Sequence, residues 1–400
     1  MKFGLIAVAI MLASTPWVTV ARAELPATIK IGVLNDRSGP FADQSGRGSV
    51  IAAKMAAQDF ATEAPGIAVE IVYGDHQNKP DIGSSIVRGW IDRDGVVAVA
   101  DAVNSAVALA VNDILRERHL TFVASSAATS DLTGKFCAPT TVQWTLDTWA
   151  LGNSAARALK DVGPFYFVSF DYALGSVLER DTTAALQKLG GSVAGSVKHP
   201  LGTTDFSAYL LQAQASGAKV IAFANTGTDF INAVKQAAEF RLTKTATLTG
   251  LFTQITDIEA LGLPAAQGLI ATEAFYWDLN DQTRAFTKRF AEKMPGRVPT
   301  AGQAGVYSSV LAYLRAVKAA NSVVGEQVMA AMRQAPIDDP LFGPVTVRAD
   351  GRAMHAMHVF RVKTPAQSTS RWDMYTPIAT IPAAEAFRPL GDGGCKLVSN

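Results

Sequence analysis

The chain has 400 residues, with 36 Lys and Arg against 35 Asp and Glu and a formal net charge of +1. A balance this close leaves no basic field for nucleic acid or for an anionic membrane surface, so recognition has to come from a local pocket. The length suggests two domains of about 100–200 residues each.

Lys2 precedes an apolar stretch from Phe3 to Ala13; Ser14, Thr15 and Pro16 interrupt it, and Ala21-Arg22-Ala23 follows. A basic start, a short apolar core and a small-x-small end predict a cleaved secretory signal over 1–23 and a mature chain beginning near Glu24. The apolar core is too short for a permanent span, and no later segment offers ~18 uninterrupted apolar residues, so a soluble mature protein is expected. No Cys stands near the cut to carry a lipid. Export makes the two cysteines, Cys137 and Cys395, a disulfide candidate that staples the tail onto a loop; two cysteines are too few for a zinc site.

The mature chain then alternates strand and helix patterns. Ile29 to Leu34 reads as a strand, Gly48 to Phe60 as a helix, Ile67 to Tyr73 as a strand and Pro80 to Ile91 as a helix with Pro in its first turn. Val96 to Ala100, Ser105 to Arg116 and Leu120 to Ala124 follow as strand, helix and strand. Four strands with three intervening helices imply a parallel sheet with right-handed crossovers. A second series begins after Trp149: strands at 165–169, 192–197, 219–224 and 246–249, with helices at 150–159, 175–189, 206–215 and 229–240. Helices at about 281–294 and 300–319 and strands at 345–347, 355–362 and 374–381 close the chain. The fold class is α/β, two Rossmann-like lobes with parallel sheets joined by a multi-strand hinge. Lobe 1 is expected over 24–147 completed by 276–347, and lobe 2 over 148–275 completed by 348–400, with crossings near 145–150, 274–279 and 345–352.

Open parallel sheets bind ligands beyond the carboxyl ends of their strands. In lobe 1 those positions carry Asn35 to Pro40, Asp101 to Ser105 (DAVNS), and Ser125 to Ser130 (SSAATS). Ser105 stands where a helix starts; its hydroxyl either caps that helix or turns to a ligand, for which helix-start N–H groups favour a carboxylate. In lobe 2 the same edge carries Asp171 to Gly175 (DYALG), Asn225-Thr226-Gly227-Thr228 and Gly250-Leu251-Phe252-Thr253. Tyr172 and Phe252 either stack on a ligand ring or pack in their loops. Two such edges facing each other form a cleft.

Enzyme patterns are missing. There is no HExxH helix, GxSxG elbow or GxxxxGK[ST] loop, and the five histidines (His76, His119, His199, His355, His358) have no catalytic neighbour in sequence. His355 and His358, three apart in a strand pattern, fall on opposite faces, which argues against a shared metal. No metal and no cofactor is expected. Phe275-Tyr276-Trp277-Asp278 has rings enough for a sugar or ring platform, or is a strand running into a connection between lobes.

These residues resemble the leucine-binding-type periplasmic proteins, the type I solute-binding fold of branched-chain amino-acid ABC transporters. The resemblance covers nearly all of the mature chain and rests on SGPFADQSG (38–46), the Asn104-Ser105 loop, SSAATSDLT (125–133), DYALG (171–175), the stretch 205–221 and QAGVY (303–307). It implies a monomeric periplasmic protein that takes a small organic ligand, a carboxylate, between its lobes by hinge closure and delivers it to a permease in the inner membrane. It implies carboxylate contacts from Ser105, Ala127 and Thr129 with their neighbours Asn104, Ser126 and Ala128, an aromatic cover from Tyr172, and a lobe 2 contact from Thr226 or Asn225. The pattern departs at Phe252, where amino-acid binders of this kind place an acid. A buried ammonium without a carboxylate partner is costly, so an aromatic or other non-amino acid is favoured, unless Asp147 or Asp229 supplies the charge. The alternatives are a branched-chain or other amino-acid binder of the same family, or a ligand-sensing receptor domain; an enzyme on the same fold is the weaker reading.

Overall fold

The computed structural model describes residues 25–398; the signal expected over 1–23 lies outside them. The first sheet contains β1 (Thr28–Asn35), β2 (Ala68–Asp75), β3 (Val96–Asp101), β4 (Thr121–Ala124) and β5 (Thr141–Gln143), all parallel in the order β2-β1-β3-β4-β5. The second contains β6 (Phe165–Phe170), β7 (Val193–His199), β8 (Val220–Ala224), β9 (Thr247–Gly250) and β10 (Ile270–Glu273). A small antiparallel sheet joins β11 (Ile337–Asp339), β12 (Gly343–Val347) and β13 (Ala353–Met354). Finally β14 (Met357–Val362) and β15 (Tyr375–Ile381) add antiparallel to β10, giving the order β15-β14-β10-β9-β8-β6-β7.

Strand composition follows position in the sheet. The inner strand β6, FYFVSF, is buried throughout, with Phe165 and Phe167 in the core on one face and Tyr166 and Val168 in the core on the other. The edge strand β2 is only half covered and exposes Tyr73. A strand clad by helices on both faces has to be apolar on both, whereas an edge strand does not. β5 and β10, the last parallel strands of their sheets, were not read from the sequence. The tail divides: Val345 and Val347 of β12 pack into the first core, while β14 and β15 join the second sheet.

The helices that matter for the cleft are α1 (Gly46–Glu63), α2 (Pro80–Gly89), α3 (Ser105–Glu117), α4 (Thr148–Leu159), α5 (Ala173–Lys188), α6 (Ser207–Ala215), α7 (Gly227–Glu239), α8 (Ile255–Leu261), α9 (Leu263–Ala266), α10 (Asp281–Lys293), α11 (Ala301–Ala320) and α12 (Gly325–Arg333). The late helices α10 and α11 pack on the first lobe, with Phe286, Phe290, Val306 and Val310 in the core that also holds Ile29, Ile31 and Met55. α11 is buried on nearly every side, and a capping box between Thr300 and Gln303 starts it. Cβ on Gly48 would lie 2.3 Å from the Gln303 carboxamide, so a side chain there would displace that group from its bonds to the loop.

Three crossings join the lobes: β5 to α4, β10 to α10, and β13 to β14. Arg352, fully buried, ties two of them together. Its guanidinium donates to Leu146 O at 3.0 Å and to Trp144 O, reaches Asp147 Oδ2 at 3.4 Å, and lies 4.2 Å over the Phe387 ring. Asp147 also caps α4 by accepting from Ala150 N at 2.7 Å. The charge that the sequence left open for Asp147 to lend to a ligand is therefore committed to the hinge. The Phe275-Tyr276 rings are buried too, Phe275 against Phe286 and Tyr276 between Phe360 and Tyr375, so this segment is core and not a ligand platform. Cys137 and Cys395 are joined by a disulfide that holds the tail against the loop after β4.

Candidate ligand-binding cleft

The first wall begins where β3 ends. Asp101 and Ala102 both take positive φ, +81° and +59°, a conformation that costs side-chain-bearing residues of order 1–3 kcal/mol each. The turn delivers Asn104 to the start of α3, where its side-chain oxygen accepts from Ala106 N at 3.0 Å and Val107 N at 3.1 Å. Asn104 is thus the cap, its amide nitrogen going to Asn78 at 3.4 Å, and it is spent on structure. Ser105, which the sequence left between cap and contact, is released from capping: its hydroxyl is buried and has no partner.

The loop after β4 is held from behind. Gln143 Nε2 donates to Ala127 O at 2.8 Å and Thr129 O at 3.0 Å, and Thr148 N donates to Ala128 O at 2.7 Å. With its carbonyls pulled one way, the loop turns its donors the other way. Ala127 and Ala128 are fully buried, and among the described residues no acceptor meets their N–H groups. The Ser126 hydroxyl is likewise buried and makes no close hydrogen bond, although the Asp101 carboxyl stands near enough to feel it. Thr129 differs: its hydroxyl accepts from Asp131 N at 3.3 Å and caps a short 3-10 turn. Beneath the wall lies Asp101, fully buried; burial raises its pKa to about 6 against the opposing pull of Ser126, Ser49 and Asn35.

The second wall is more fully paired, although the side-chain oxygens of Asn225 and Gln254 are buried without a partner. Asn225 donates through Nδ2 to His199 Nε2 at 2.9 Å, and His199 turns Nδ1 to Pro200 O at 3.0 Å. Asp229 accepts from Gly202 N at 2.8 Å and Thr203 N at 3.3 Å, so it too is committed within its lobe. Tyr172 packs on Phe170 with ring centroids 5.0 Å apart, and burial raises its hydroxyl pKa. Thr226 accepts from Gln44 Nε2 at 2.6 Å, a bond that spans the two lobes.

Between the walls is a cavity lined by Gln44, Val103, Ser126, Leu146, Phe252, Gln254 and Gly302, with room of about 10 Å³, one water. The lobes are closed onto each other here, so a solute is admitted only when they part. A larger hollow, about 490 Å³, lies between α11 and α12 on the outer face, away from every residue of the two walls. Of the expected contacts, Ser126 and Phe252 line the cavity; Ser105, Ala127, Ala128, Thr129, Tyr172, Asn225 and Thr226 stand in the surrounding walls without lining it.

Gln44 and Asp257 were missed by sequence reasoning. Asp257, in the first turn of α8, is buried; it accepts from Gln254 N at 2.9 Å and from Gln44 Nε2 at 3.4 Å. Burial raises its pKa to about 7. An acid therefore does stand near Phe252, supplied by a helix start and not by the loop itself. The Gln254-x-x-Asp257 spacing of a capping box was the available signal.

The chain belongs to the periplasmic binding protein family, whose model matches residues 28–369. It is 30% identical over 260 residues to Leu/Ile/Val-binding protein homolog 6 of Brucella melitensis biotype 1, a match covering 63% of this chain and 65% of the relative, so it spans just under two thirds of the length of such curated relatives. Its fold is similar to that of a periplasmic binding protein from Burkholderia mallei, with a TM-score of 0.89, 40% identity, and 93% of this chain and 100% of the other covered. A branched chain amino acid ABC transporter periplasmic ligand-binding protein from Burkholderia xenovorans aligns with a TM-score of 0.84 at 38% identity, covering 92% and 99%. An R. palustris solute binding protein in complex with benzoate shares the fold at 20% identity and a TM-score of 0.79, over 92% and 99% of the chains. The class is thus the substrate-binding proteins of ABC transporters.

Proposed function

We propose that this protein captures a small carboxylate-bearing solute between its lobes outside the cytoplasm and delivers it to an ABC transporter permease, with an aromatic or other non-amino organic acid favoured. One observation supports the reading: Ser126, whose buried hydroxyl makes no hydrogen bond, lines the cavity with the apolar Val103, Leu146 and Phe252, and the buried, unbonded Ser105 hydroxyl and Ala127 and Ala128 N–H groups stand in the wall around it. Buried donors left bare are costly, and a carboxylate satisfies several at once through charge-assisted bonds. The apolar side suits a hydrocarbon body. The role is binding and release, without catalysis; the chain reaches the periplasm by cleavage of its signal at 1–23. The lobes, 24–147 with 276–347 and 148–275 with 348–400, close about the three crossings.

A second reading, an amino-acid ligand, is favoured by Asp257, which offers a negative charge one residue layer behind the cavity. Calorimetry on the mature chain separates them. Binding of aromatic or aliphatic acids without leucine, isoleucine or valine supports the first reading, and tight leucine binding with no aromatic-acid binding overturns it.

A further inference from the structure

We propose that Asp257 is a specificity-determining residue of the cleft, orienting Gln44 so that the site takes a carboxylate ligand bearing a hydrogen-bond donor at its far end. The inference rests on the carboxylate reading above and deepens it.

Gln44 is placed with unusual completeness. Its backbone N donates to Phe41 O at 3.1 Å, and its O accepts from the Thr300 hydroxyl at 2.7 Å. The neighbouring carbonyls of Asp43 and Ser45 both accept from Gln303 Nε2 at 3.2 Å. The start of α11 thus pins the loop of lobe 1, and the Gln44 side chain extends from it across to lobe 2. There its nitrogen meets Thr226 Oγ1 and Asp257 Oδ2. A carboxylate only accepts, so it holds the amide by the nitrogen. The amide oxygen is then left buried and bare on a side chain that lines the cavity. Ser126 opposite it can donate or accept, but the Gln44 oxygen only accepts. A ligand gripped by its carboxylate on the first wall meets this oxygen with whatever it carries at the other end, and a donor is what completes it.

The surroundings of Asp257 keep the arrangement sensitive to protons. Asp43, on the Gln44 loop, and Glu273, on β10, are the acids whose charges reach it; the Tyr375 hydroxyl bonds Glu273 at 2.6 Å, and Arg297 lies 3.5 Å from Asp43. Protonated, Asp257 can donate to the Gln44 oxygen, and the amide then turns its NH2 to the cavity.

The test uses the mature full-length chain and calorimetry at pH 8 and pH 5. The probes are benzoate, its para-hydroxyl and para-aminomethyl derivatives, and the corresponding straight-chain acids. At pH 8 the donor-bearing acids are expected to bind about tenfold tighter than their parents, the weight of one net hydrogen bond, and that margin shrinks at pH 5. The hydroxyl and ammonium arms decide which donor the site takes. Asp257→Asn and Gln44→Leu each reduce the margin below about threefold while Ser126→Ala weakens all probes alike; thermal melts verify that each variant is folded, and either one suffices. Equal binding of parent and donor-bearing acids, or a full margin in a folded Asp257→Asn protein, overturns the proposal but leaves the carboxylate reading standing. Binding of none of the acids by the wild-type chain defeats that reading and the proposal with it.

Discussion

The two walls of the cleft are built on opposite principles. On the first, loop carbonyls and caps are satisfied from behind by Gln143, Thr148 and Asn104, and the donors that remain are bare. On the second, most donors are already paired, Asn225 Nδ2 with His199 and Gln44 Nε2 with Thr226 and Asp257 across the lobes, Asp229 accepts from the Gly202 turn, and what stays bare is chiefly acceptor oxygen on Asn225 and Gln254. On the proposed reading, the first wall takes the ligand's carboxylate before the lobes close. The second is organised to meet the first. Docking and closing are therefore separable tasks, and substitutions on the two sides should fail differently.

The largest effect is expected at the hinge that lets the walls meet. Arg352→Met leaves the Asp147 carboxylate buried without its cation, and removing one member of a buried pair costs about 3–5 kcal/mol. Urea unfolding of the variant should show this loss; a loss under about 1 kcal/mol would mean that the crossings are held by packing alone.

Next comes a pH effect confined to the second wall. Burial raises Asp257 from the usual 3.8 to about 7, so between those values the folded chain holds a proton that the unfolded chain has released. Stability from this group is therefore full below about pH 4 and lost as pH rises through 7. Asp257→Asn cannot ionise, so relative to wild type it should gain up to about 4 kcal/mol between pH 4 and pH 8. Unfolding curves at the two pH values check it, and an unchanged difference would place the Asp257 charge in contact with water or a cation.

On the first wall, Ser105→Ala with Ser126→Ala should weaken carboxylate binding by about 2–4 kcal/mol, since each bond to a charged group is worth about 1.5–3 kcal/mol. Thr226→Ala, on the second, should cost under about 1 kcal/mol in the same calorimetry. A reversal of these two losses would exchange the roles of the walls.

How far the cleft was legible from sequence follows the same division. The parallel strands announce themselves as apolar runs, and the rule that ligands sit beyond strand ends points to the DAVNS and SSAATS loops directly. Periodicity does not resolve a helix start to one residue, and this is why Asn104 and Ser105 had to wait for coordinates to divide capping from contact. β5, three residues long, gives no periodic signal at all. Gln44 lies in a loop that reads as ordinary turn sequence until α11, more than 250 positions later, folds against it. Asp257 looks like the first turn of a surface helix, where acids are common, yet in the folded chain it is buried.

A smaller effect than the first-wall loss probes closing with no polar side chain involved. Gly227 begins α7 at φ +61°, and a Cβ there would lie 3.1 Å from Pro40 O on the other lobe. Alanine in the left-handed region costs about 1–2 kcal/mol relative to glycine, and its methyl group also presses on the loop that carries Gln44. Gly227→Ala should thus weaken ligand binding by roughly tenfold while the first wall remains intact, so the on-rate changes little and the off-rate rises. Small-angle scattering should find the variant more open at saturating ligand than wild type. If the variant instead lost affinity through its on-rate, with the closed shape kept, the Pro40–Gly227 approach would belong to docking, and the separation of the two walls would not hold at their rim.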